Sequence, residues 1–155
     1  MTPLVSNLWP QFMVDPAFAA CFGQVIVEHA QMLRQERQVI FTLRSGAPLD
    51  KNLCARLLAS LQPDYEGFEL RIQNLFGYAM LDETALRDLM EEMKRDGVPI
   101  NGFLDRCKIN IIGQKITIGV CHGTKFLQEM HFEKLLAERI AAHTGVTPQV
   151  TLQSA

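Results

Sequence analysis

Four cysteines are spread through 155 residues, at Cys21, Cys54, Cys107 and Cys121, and no two stand at CxxC spacing. The only cysteine close to a histidine is Cys121, which is adjacent to His122, and adjacent residues cannot easily grip one ion together. A structural zinc site is therefore not expected, and no metal or cofactor is expected in the chain. Without a secretory signal, four free thiols in a reducing cytosol are the simpler reading, and a cytoplasmic location is expected. Long apolar runs are missing too: none approaches the roughly 20 residues that a membrane span needs. Neither sign of charge dominates. Lys and Arg number 15 and Asp and Glu 17, for a net charge of −2, so the composition carries no basic footprint of the kind left by non-specific nucleic-acid binding. Phosphate-cradling glycine loops are absent, with neither GxGxxG nor GxxxxGK[ST]. No two glycines lie three apart, so the GxxG clamp of an RNA-binding KH module is absent as well.

Ordinary globular material is present. Hydrophobic residues make up 48% and charged residues 21%, a balance that forms a core without staples and excludes the disordered class. Near the start, Leu4, Leu8, Trp9, Phe12 and Met13 form an apolar stretch broken by Pro10, with Trp9 expected to anchor on the main body. Asp15-Pro16 is an N-cap followed by Pro at N1, predicting a helix to Cys21. The β-branched runs at Gln24–His29 and Gln38–Arg44, flanking the polar Arg34–Arg37, predict a hairpin. Gly46-Ala47-Pro48 ends it. A helix is predicted from Asp50, with Cys54, Leu57, Leu58 and Leu61 on one face and Pro63 as its stop. Phe68–Ile72 alternates as a half-buried strand. Asp82 caps the clearest helix, whose stripe is Leu86, Leu89, Met90 and Met93, with Lys94 and Arg95 in its last turn and Gly97 at its C-cap. A second hairpin follows, Lys108–Ile112 and Lys115–Val120 around Gly113-Gln114. Cys121–Lys125 links it to a helix carrying Phe132, Leu135, Leu136 and Ile140, stopped by Gly145, and Gln149–Leu152 is a last strand.

The predicted class is α+β, built as two successive ββαβ units without a residue-level repeat. The expected organisation is a helical segment over 1–22 and an α+β interaction domain over 23–155, divisible into 23–80 and 82–153. An ending just after a strand-like run fits either a complete short protein or the edge of a domain.

The run Gln114–Val120, the helix Phe132–His143, Gly145-Val146 and Gln149–Leu152 resemble the N-terminal domain of PolC-type DNA polymerase III. The hairpin around Val25 and Ile40, the break at Pro48, the leucine helix and Phe68–Ile72 follow the same order, so the resemblance covers roughly residues 8 to 152. The family's first hairpin often carries several aromatics, whereas here Phe41 is the only one. The resemblance implies a fold similar to a clamp-loader subunit's polymerase-binding domain and to KH modules. It also implies a non-catalytic role docking to a replisome protein, a clamp-loader subunit or another polymerase domain. The polymerase and exonuclease residues of such a parent lie far downstream, so no catalytic residue is carried over.

Two other readings stand beside it. The first is nucleic-acid contact through basic hairpins, by Arg34 and Arg37 at the first tip and by Arg106, Lys108, Lys115 and Lys125 on or near the second. The same cations also blunt edge strands. The second is a thiol enzyme built on Cys121 with His122, His131 and Lys125, for which a chance grouping is the plainer account. Asp82, Glu83, Asp88, Glu91 and Glu92 share a helix and read as a solvated face rather than a two-metal site.

Overall fold

The computed structural model describes residues 3–100 and 102–154, so the terminal residues Met1, Thr2 and Ala155 lie outside it. The chain is α+β and divides into two units, Met1–Phe76 and Gly77–Ala155. Among the described residues no helix is long and apolar enough to cross a membrane.

In the first unit, the short helix α1 (Val5–Leu8), a 3-10 turn (Pro10–Val14) and α2 (Pro16–Phe22) precede the strands β1 (Ile26–Leu33) and β2 (Gln38–Arg44). Asp15 caps α2 by accepting from the Ala17 amide at 2.8 Å, with Pro16 at N1, where its missing N–H costs nothing. The helix α3 (Lys51–Leu61) starts on Asp50, which accepts from Asn52 and Leu53, and Pro63 closes it into a 3-10 turn. It leads to β3 (Glu69–Leu75), longer than the predicted Phe68–Ile72. β1 pairs antiparallel with β2, and β3 pairs parallel with β2 on its other side. The register skips at Glu28, a bulge whose carboxylate pairs with Arg44.

Val39, Phe41 and Leu43 alternate on the inner face of β2 and are buried with Val27, Leu57, Leu61, Leu70, Phe18 and Phe22. The N-terminal segment belongs to this core. Val5 N donates to Val25 O, Val27 N donates to Pro3 O, and Phe12 and Met13 pack against the cluster. Trp9 is an anchor, with its ring edge-on to Phe41 at 5.5 Å. The turn after β2 is latched by Asn74. Its amide nitrogen donates to Leu43 O and Ser45 Oγ, and its carbonyl accepts from Leu49 N.

The second unit repeats the arrangement. The helix α4 (Glu83–Arg95) begins on Asp82, which accepts from Ala85 N at 2.8 Å. Asp96, not Gly97, is its C-cap. Gly97 lies one residue beyond with φ 94, the left-handed conformation in which the chain leaves the helix. Strands β4 (Lys108–Ile112) and β5 (Lys115–Val120) form the predicted hairpin, with Gly113 taking φ 57 at the turn. The single helix expected next is two helices, α5 (Thr124–Glu129) and α6 (Phe132–Thr144). The break falls at His131, whose φ of 59 ends one helix and begins the other. β6 (Gln149–Ser154) then pairs parallel with β5. Ile116, Ile118, Val120 and Leu152 are buried with Leu86, Met93, Leu127, Phe132, Leu136 and Ile140. Leu135, expected in that stripe, is 36% exposed.

Candidate functional site

Each sheet buries one face, so functional side chains must come from outward positions, strand edges and connecting segments. Arg34 and Arg37 do sit at the first hairpin tip and are exposed. Arg37 holds the turn itself. Its φ is 53, its amide donates to Arg34 O at 3.4 Å, and its carbonyl accepts from Glu69 N at 2.8 Å. Its guanidinium lies over Gly67, where a Cβ would be 3.5 Å away.

The other four cations, also exposed, belong to the second unit. Lys108 stands opposite Gly119 and Lys115 opposite Ile112, on the same outward face but at opposite ends of the hairpin. Four residues of β5 separate those ends, about 13 Å at strand rise. The outward face between them is polar, with Asn110, Thr117, Gln149 and Thr151 in register. Arg106 joins Lys108 and Lys125 at the far end of β5, where the Cys121 thiol approaches Arg106 O at 3.9 Å. That end also carries three rings that sequence reading did not assemble. Phe103 lies 5.1 Å from Phe126 and 5.6 Å from His122, centroid to centroid. Phe103 comes from the loop before β4, His122 and Phe126 from the link after β5, and Gly123 makes their approach feasible. A Cβ at Gly123 would sit 2.2 Å from Phe103 Cδ1, and its φ of 82 favours glycine anyway. Phe126 is 43% exposed, and His122 is exposed as well.

A second candidate lies beside β4, which among the described residues pairs with a strand on one side only. A groove of about 570 Å³ runs there, lined by Tyr78, Leu81, Asp82, Ile109, Ile111 and Gln114 among others. The Tyr78 hydroxyl donates to Gly113 O at 2.6 Å and ties the segment before α4 to the hairpin turn. Burial raises the Tyr78 phenol above its ordinary range, so it is a donor at neutral pH. Asp82 is committed to its cap and Glu83 to Arg87 at 2.9 Å, which leaves the groove with Leu81, Ile109, Ile111, Gln114 and a strand edge to offer.

The thiols are arranged differently from a nucleophile with its base. Burial pushes Cys54 up to about 12, with the charges of Cys21 and Asp50 adding to it. Burial raises Cys107, against the opposing pull of Arg87, whose guanidinium donates to the Cys107 carbonyl at 2.8 Å. Both are therefore poor thiolates at neutral pH. Cys121 is exposed, but among the described residues it has no hydrogen bond to a histidine. No group of three or more His, Cys, Asp or Glu among the described residues is placed to hold a metal ion.

The acidic face of α4 needs correcting at one residue. Glu92 is not simply solvated. Its carboxylate faces α6, 3.1 Å from His143 Nε2 and 3.3 Å from Arg139, which also pairs with Asp96 at 2.7 Å. Burial pulls the Glu92 pKa up. The hydrogen bond with His143 and the charges of His143 and Arg139 outweigh that and hold it below the usual carboxylate range.

No family model matches the chain, and no curated protein or solved structure matches it either.

Proposed function

We propose that this chain is a non-catalytic docking domain of a PolC-like replicative polymerase, whose second unit receives an extended segment of a replisome protein. The groove along the unpaired edge of β4 carries the docking reading. An edge strand offers a row of amide and carbonyl groups that an incoming strand can pair with. Ile109 and Ile111 beside it offer apolar contacts for alternate side chains of such a segment. The order hairpin, helix, parallel strand, found in both units, supports the polymerase likeness and its finer kinship with clamp-loader binding domains and KH modules. The partner implied is a clamp-loader subunit or another domain of the polymerase.

Capture of purified clamp-loader subunits, the clamp and the remaining polymerase domains by immobilised protein tests this reading. One of them is expected to be retained, and Ile111→Arg is expected to weaken retention at least tenfold, because a buried charge at a strand-docking surface is not compensated. Retention of none of them, or full retention by Ile111→Arg, would overturn the proposal.

A further inference from the structure

The ring cluster at the end of β5 is separate from the β4 groove and has a different chemistry. Residues 102–126 contain four cations, Arg106, Lys108, Lys115 and Lys125, and a single acid, Asp105, in a chain whose net charge is −2. Basic charge is thus concentrated in one stretch although the composition as a whole shows none. Three of those cations lie at this end of the hairpin by chain placement: Lys108 is in register with Gly119, the Arg106 carbonyl lies beside the Cys121 thiol, and Lys125 directly precedes Phe126. A lone exposed apolar side chain is ordinary, but Phe126 does not stand alone, because Phe103 lies beside it and His122 lies on Phe103. Here Phe126 is 43% exposed with its ring tilted against Phe103, which in turn packs over Gly123. A solvent-facing ring at a strand end that also carries cations has what a single-stranded nucleic acid requires: a π-face for a base and positive charge for the phosphates that flank it. Duplex does not fit, since its bases are already stacked.

We infer that the Phe103–His122–Phe126 cluster is a stacking platform for single-stranded nucleic acid, with Phe126 taking the base and Arg106, Lys108 and Lys125 the backbone. No glycine clamp is needed, and contacts of this kind tolerate sequence, because every base has a π-face.

Fluorescence anisotropy with fluorescein-labelled dT20 and rU20 tests the inference. Saturable binding is expected with at least one of them, weakening about tenfold or more between 50 and 200 mM KCl, since phosphate contacts release counterions. Duplex of the same length is expected to compete poorly. Phe126→Ala is expected to weaken binding about tenfold, the scale of one lost base–aromatic stack. Lys125→Glu is expected to weaken binding and to flatten the salt dependence. Phe126 and Lys125 are surface positions, and far-UV circular dichroism of each variant checks that it is folded. The inference is overturned if neither oligonucleotide shifts the anisotropy at 100 µM protein in 50 mM KCl. Undiminished binding by both Phe126→Ala and Lys125→Glu overturns it equally. Loss of a replisome protein in the capture assay by Phe126→Ala, with no oligonucleotide binding, would instead make the platform a protein contact. The β4 groove reading fails separately, through Ile111→Arg.

Discussion

At Gly123 two constraints meet on one residue. Its φ of 82 lies in the left-handed region, which costs an L-residue about 1–2 kcal/mol. A Cβ there would also strike the Phe103 ring. Gly97 shares the first constraint, with φ 94, but has open space around it. Gly123→Ala is therefore expected to destabilise the protein clearly more than Gly97→Ala, which should cost about 1 kcal/mol; urea unfolding measures both. Equal losses would mean that Phe103 swings aside freely and that the ring cluster is not held as described. In the sequence Gly123 is only one residue of the Cys121–Lys125 link, because what makes it necessary is a phenylalanine twenty residues upstream. The same blindness hid the platform. Its cations were legible as types, but the rings come from two loops that only the folded hairpin brings together.

Between α4 and α6 the clip of Glu92, His143 and Arg139 makes stability depend on acid. The Glu92 carboxyl titrates lower in the folded protein than in the unfolded chain. Its contribution is thus present above the unfolded pKa, near 4.3, and is lost as pH falls through the lower folded value. Glu92→Gln should lower stability at pH 7 by about 1–3 kcal/mol, the scale of a hydrogen bond to a charged group. It should also flatten the loss of stability below about pH 4.5. Urea midpoints at pH 7, 5 and 3.5 check this, and an unchanged acid slope would remove Glu92 from the account. Elements were more legible than the contacts between them. The caps at Asp15, Asp50 and Asp82, the Gly113 turn and the α4 stripe are local signals, and each predicted element formed around them. The break at His131 was missed because no proline or glycine marks it; a histidine in a left-handed conformation does the work instead. Glu92 was misjudged because its partners lie on α6, beyond the reach of any helical periodicity. The Asn74 latch was invisible for the same reason, since its partners Leu43, Ser45 and Leu49 are distant in sequence.

Over the whole molecule, each unit has its own sheet and its own buried side chains. Chains of this size can fold on one such core. Residues 1–76 and 77–155, produced separately, are each expected to unfold cooperatively in urea, with a dependence of the unfolding free energy on urea that scales with the surface exposed. A gradual, non-cooperative melt of either would show that its core is not self-sufficient. The shared strand order has a kinetic consequence. In both sheets the middle strand finds one neighbour across a tight turn and the other only after a helix-bearing stretch, residues 45–68 in one case and 121–148 in the other. The hairpins β1–β2 and β4–β5 can close early, on the timescale of local contacts. The parallel edges must wait for loop closure over that longer separation. In that interval β2 and β5 each have one bare edge beside apolar residues such as Phe41 and Ile118. It is then, rather than in the finished fold, that the protein is most exposed to pairing with a second copy of itself.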